Sequence, residues 1–108
     1  ATSDPAVDHI SSRAQAELLR ICHEALTNAR KHADPTVVRV SIGVTDGVLR
    51  MVVADNGRGF DPALVRDSRY GLRSMRERAE LIGGRLTVET SPQDGTRVVV
   101  EVPMETAR

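Results

Sequence analysis

A chain of 108 residues is long enough for one domain built on a single core. Its 15 Lys and Arg balance 15 Asp and Glu, so no overall field draws it to nucleic acid or to a membrane surface. No apolar run approaches a bilayer span, and no secretory pattern is legible. The one cysteine, Cys22, rules out an intrachain disulfide and fits a reducing compartment, and its place on an apolar helix face reads as core. One Phe, one Tyr and no Trp demand an aliphatic core and disfavour stacking on nucleic-acid bases.

Residues 1–9 show no clear period and are expected to form an arm or the end of a truncated strand. Ser12 with Gln15 resembles a capping box that opens a helix running to about Ala33. Leu18, Cys22, Ala25, Leu26 and Ala29 give that helix one buried face, and Asp34-Pro35 stops it. Val38, Val40, Ile42 and Val44 alternate with more polar or smaller residues, predicting a half-buried strand. Asp46-Gly47 is a hairpin turn signal, and the return strand runs from Val48 to Ala54. Residues 61–69 read as a loop, with room for one helical turn after Pro62, and five arginines (Arg66, Arg69, Arg73, Arg76, Arg78) cluster there and beyond. A helix is expected from Gly71 to Ile82, with Met75, Leu81 and Ile82 in the core and Gly83-Gly84 as its stop. A second hairpin, Arg85–Thr90 and Thr96–Val102, turns at Pro92-Gln93-Asp94-Gly95. Helices covering one face of a mixed, largely antiparallel sheet make this an α/β two-layer sandwich.

Two stretches carry chemistry. Glu24, Asn28 and Lys31 are spaced by four and three, so all three are expected on one side of the helix. Asn28 can offer a neutral oxygen to a hard cation, Glu24 can hold a metal-bound water or polarise an attacking group, and Lys31 can offset phosphate charge. The same spacing also suits a solvated face of charge pairs. His32 either touches a ligand or caps the helix end. Asp55 stands at a strand end, where a carboxylate, which only accepts hydrogen bonds, suits the exocyclic amino group of adenine and repels the carbonyl of guanine. An ordinary Asp-Asn-Gly turn reads equally well. Gly57 and Gly59 admit close backbone approach and positive φ. Gly71 and Leu72 open a helix whose free N–H groups suit an anion. Phe60 and Tyr70 bracket the loop and pack it down. Neither a P-loop nor a Gly-x-Gly-x-x-Gly fingerprint is present.

Taken together, His23-Glu24-Ala25-Leu26-Thr27-Asn28-Ala29-Arg30-Lys31-His32, Asp55-Asn56-Gly57-Arg58-Gly59-Phe60, Tyr70-Gly71-Leu72-Arg73-Ser74-Met75 and Gly95-Thr96 stand in the order and spacing of the N, G1, G2 and G3 boxes of an ATP site. From about Ile10 to Pro103 the chain resembles the catalytic ATP-binding domain of bacterial sensor histidine kinases, within the superfamily of gyrase, heat-shock chaperone, histidine kinase and mismatch-repair ATPases. The resemblance implies the Bergerat ATP-binding fold and a single domain over 1–108, with residues 61–70 as its ATP lid. It implies Mg2+ and ATP as ligands. Glu24 and Lys31 would act in catalysis, and Asn28 would bind magnesium, with Glu24 reaching the metal through water. Nucleotide contacts would come from Asn28, Lys31, His32, Asp55, Gly57, Gly59, Phe60, Tyr70, Gly71, Leu72 and Thr96. The lone G2 glycine, Gly71, and the short lid resemble the nitrate-sensor subfamily. The implied partners are a dimerisation domain of the same parent carrying the phosphoacceptor histidine, and a response regulator, in the cytoplasm. Two other functions share these boxes: a serine kinase of the anti-sigma-factor type, and an ATP-driven conformational switch.

Overall fold

A computed structural model describes residues 9–61, 63, 64, 66 and 69–108. The expectations placed on 1–8, Pro62, Val65, Asp67 and Ser68 lie outside the described residues.

The first helix, α1, spans Ser12–Asn28. Its cap is Ser11 rather than Ser12: the Ser11 hydroxyl accepts from the Ala14 amide at 3.1 Å. A capping box needs Glu or Gln at that third helical position, and Ala14 cannot reciprocate. The buried stripe is Ala14, Leu18, Ile21, Ala25 and Ala29, with Cys22 half-buried beside it. Leu26, expected inside, is exposed, while Ile21 is wholly buried. Burial pushes the Cys22 thiol pKa up, keeping it protonated and inert near neutrality. The helix does not end as a simple α turn. It widens into a π turn over Ala29–Ala33, and Asp34 then takes a left-handed conformation (φ 48°) before Pro35.

Strands β1 (Val38–Thr45) and β2 (Val48–Asp55) form the expected hairpin. Asp46 and Gly47 both have positive φ (52° and 74°), as a type I′ turn requires. After the loop, a 3-10 turn at Arg69–Gly71 leads into α2, Leu72–Leu81. Leu72, Met75 and Ala79 face inward, whereas Leu81 points to solvent, against expectation. Gly83 and Gly84 close the helix through amide bonds to the carbonyls of Glu80 (3.0 Å) and Ala79 (2.8 Å), the paired pattern of a Schellman stop. Strands β3 (Arg85–Thr90) and β4 (Thr96–Pro103) follow. A short helix that the sequence pattern did not reveal, α3 (Met104–Ala107), buries Met104 and Ala107. The Ala107 carbonyl accepts the Ser11 amide at 2.7 Å, tying the chain end to the start of α1.

The sheet order is β1-β2-β4-β3. Every pairing among the described residues is antiparallel, so the expected mixed character is absent there. Leu49, Met51 and Val53 of β2 with Val98, Val100 and Val102 of β4 form the inner face beneath α1 and α2, giving the two-layer α/β sandwich. On the opposite face Arg85–Glu101 (3.5 Å) and Arg97–Glu89 (3.1 Å) pair across β3 and β4. Arg78 reaches the nearly buried Glu17 at 3.4 Å and pins α2 to α1. No helix among the described residues is long and apolar enough to cross a membrane.

Candidate functional site

A cleft opens where the end of α1, the end of β2 and the start of β4 meet the segment entering α2. Ala25, Val53, Met75 and Val98 give it an apolar floor, of which Ala25 and Met75 are expected from sequence in the core. Asn28, His32, Asp55, Gly59, Phe60, Tyr70, Leu72 and Thr96, all expected at a ligand, line its walls, and Arg58 joins them. Gly57, Gly71 and Glu24 stand just behind the lining. Lys31 is exposed on the π turn that follows α1 and lies outside the lining.

Asp55 and Thr96 are register partners across β2 and β4, which holds their side chains side by side at the strand ends. The Asp55 carboxylate is locked by its own turn: Oδ1 accepts the Gly57 amide at 2.8 Å. Asn56, to which the sequence reading gave no role, clamps the turn in place. Its Oδ1 accepts the amides of Thr36 and Val37 at 3.0 and 2.9 Å, and its Nδ2 donates to Thr36 Oγ1 at 2.8 Å.

The glycines act by contact rather than torsion at two of these positions. Neither Gly57 nor Gly59 has positive φ, contrary to expectation. A Cβ on Gly57 would lie 2.2 Å from the Ala33 carbonyl, and one on Gly59 1.9 Å from the Ser91 carbonyl. The turn after β2 is thus pressed between the π turn of α1 and the β3–β4 loop. Arg58 fastens it by donating its amide to the Ala33 carbonyl at 2.7 Å.

On the far wall, Asn28 Nδ2 donates to the Tyr70 carbonyl, which turns Oδ1 of the amide the other way. The Tyr70 ring packs against Phe60 (5.1 Å between centroids) and edge-on to His32 (4.8 Å), with the Arg69 guanidinium 5.3 Å from its centre. Tyr70 thus forms one wall of a cleft whose free volume is about 50 Å³. Gly71 has φ 66°, and a Cβ there would strike Glu24 Oε1 at 2.4 Å, so Glu24 sits directly against the start of α2. That helix has no side-chain cap, and a helix N-terminus of this kind suits an anion.

The chain is similar to several known proteins. Sensor histidine kinase LiaS of Bacillus subtilis (strain 168) is 42% identical over 95 residues, covering 88% of this chain and 26% of that protein. The signal transduction histidine-protein kinase/phosphatase DegS of Brevibacillus brevis is 38% identical over 89 residues, covering 82% and 23%. The chain therefore spans about a quarter of the length of these relatives. Among solved structures, the ATP binding domain of PrrB from Mycobacterium tuberculosis superposes with a TM-score of 0.70 at 31% identity, covering 82% of this chain and 67% of that one. The histidine kinase domain of the blue-light activated kinase from Erythrobacter litoralis EL346 gives 0.71 at 27% identity, over 88% and 46%. The profile of the histidine kinase-, DNA gyrase B- and HSP90-like ATPases matches residues 13–106. The chain belongs to that ATPase family, as a histidine-kinase-type ATP-binding domain.

Proposed function

We propose that this domain binds Mg-ATP and presents the γ-phosphate to a histidine on a dimerisation domain of its parent kinase, for relay to a response regulator. The observation that carries the nucleotide half is the Asp55–Thr96 pair at the end of an apolar cleft, with the carboxylate fixed by Gly57. Asp55 would accept from the 6-amino group of adenine while Val53, Met75 and Val98 take the flat base. The amide end of α2 would receive the phosphates. Among the described residues no three His, Cys, Asp or Glu cluster as a metal site. Magnesium bound through phosphates and water needs no such cluster, and Asn28 Oδ1, turned away from Tyr70, fits it as a single protein oxygen. Bound there, the metal would neutralise phosphate charge. Glu24, against Gly71, would orient a metal-bound water or an incoming group, and Lys31 and His32 would approach the ligand from the π turn.

Phosphoryl transfer asks chiefly for positioning and charge neutralisation, both of which these groups can supply. The relatives' names as sensor histidine kinases favour this reading over a serine kinase or an ATP-driven switch. The single G2 glycine and short 61–70 segment support a nitrate-sensor-like branch, and the cytoplasm follows as the site of action. Calorimetric titration tests the core of the reading. Wild type should bind ATP more tightly with magnesium than without. Asp55→Ala should lose about 1.5–3 kcal/mol of affinity while keeping its circular dichroism. Equal dissociation constants for the two folded proteins would remove Asp55 from the base site.

A further inference from the structure

Thr90 lies outside every motif discussed above, yet its hydroxyl sits behind the polar wall of the cleft. The Phe60 amide donates to Thr90 Oγ1 at 3.1 Å, the Gly95 carbonyl lies 3.1 Å away, and Thr96 Oγ1 lies 2.9 Å away. A hydroxyl owns one proton and two lone pairs. The Gly95 carbonyl can only accept, so the Thr90 proton is committed to it. The bond between the two threonines must then be donated by Thr96. The inventory closes: Thr90 gives one bond and receives two.

This direction has a consequence in the cleft. With its proton spent on Thr90, Thr96 offers only lone pairs to a ligand. Its register partner Asp55 also only accepts, and among the described residues its Oδ1 alone is engaged, by Gly57. We propose that Thr90 is a specificity-positioning residue, which sets the direction of the Thr96 hydroxyl and so makes the Asp55–Thr96 wall acceptor-only. At the exocyclic 6-position such a wall selects an amino donor, as a 6-aminopurine presents, and rejects a carbonyl in the same place. The proposal rests on the ATP reading and extends it to a residue that touches no ligand.

The test compares ATP with inosine triphosphate, which carries a carbonyl in place of the 6-amino group and an N–H at N1 in place of a lone pair. Dissociation constants for both would be measured on the wild-type domain and on Thr90→Val, Thr90→Ala and Thr90→Ser. Removing the hydroxyl frees the Thr96 proton to meet a carbonyl. The preference for ATP should fall by about fivefold or more in Thr90→Val and Thr90→Ala, and stay within about twofold of wild type in Thr90→Ser. On a Thr96→Val background, Thr90→Val should change the preference no further, because the effect passes through Thr96. A purely structural Thr90 would weaken both nucleotides alike and leave their ratio unchanged, and that result overturns the proposal. Should Thr90→Val not fold, Thr90→Ala decides the matter on the same ratio. A wild-type domain that binds ATP without discriminating it would sink this inference and the Asp55 contact to the 6-amino group, while leaving ATP binding itself in place. A wild-type domain that binds neither nucleotide would sink the ATP reading and this inference with it.

Discussion

Gly47 and Gly95 both hold positive φ, 74° and 78°, but they stand in different surroundings. A Cβ on Gly47 would meet nothing within 4 Å, whereas one on Gly95 would lie 2.1 Å from the Asp55 carbonyl. Gly47→Ala should therefore cost only left-handed strain, about 1 kcal/mol, and leave ATP affinity intact. Gly95→Ala should cost about 3 kcal/mol or more, because it also pushes β2 and β4 apart where Asp55 faces Thr96. Thermal melts and ATP titrations of the two variants check this, and equal losses from both would contradict the close-contact argument. Single residues also show how far the sequence could be read. Asp55 and Asn28 line the cleft and were marked by what a carboxylate and an amide can bind, while Thr96, which also lines it, was marked by the resemblance to the G3 box. Thr90 and Asn56 were not, since their roles appear only once the β3–β4 register places Thr90 opposite Thr96 and the turn brings Asn56 under Thr36. For Gly57 and Gly59 the close backbone approach was legible and the positive φ is absent, while the segment that presses on each leaves no trace in local sequence.

At the level of elements, hydrophobic period located both hairpins and both long helices, since alternation and helical spacing are local properties. It failed at ends. Ser11 and Ser12 look alike in sequence, and only the exit direction of the chain, set by the bond from the Ser11 amide to the Ala107 carbonyl, makes Ser11 the cap. Leu26 and Leu81 fit a helical stripe by number but fall on flanks that no second layer covers. Nothing in the sequence announced the π turn at Ala29–Ala33, whose carbonyl at Ala33 anchors the Arg58 amide across the cleft. The cap yields a sharp expectation. Ser11→Ala should destabilise the domain by about 1 kcal/mol, lowering the melting temperature by about 4–8 °C, whereas Ser12→Ala should be nearly silent. Matched melts in which Ser12→Ala is the costlier change would return the cap to the position the sequence suggested.

On the scale of the whole molecule, the proposed function gives the two-layer sandwich one half of a reaction, with the phosphoacceptor histidine on a partner domain. The chain spans about a quarter of the length of its curated relatives. Its own histidines are poorly placed to substitute. His32 sits on the π turn and edge-on to Tyr70, as part of the wall that would hold the nucleotide. His23 is exposed on α1, which carries Asn28 at a fixed separation, so it cannot swing round to face a phosphate from outside the cleft. His9 is exposed ahead of the α1 cap, at the opposite end of that helix from the cleft. In-line transfer needs a nucleophile arriving opposite the leaving oxygen, and holding reactants in that geometry is worth many powers of ten in rate. The domain alone should therefore bind ATP without labelling itself. Incubated with γ-labelled ATP and magnesium it should stay unlabelled, while addition of a dimerisation domain from the same parent should give an acid-labile phosphohistidine on that partner. Stoichiometric label on His9, His23 or His32 of the isolated domain would show that the acceptor lies within this chain and that no division of labour is needed.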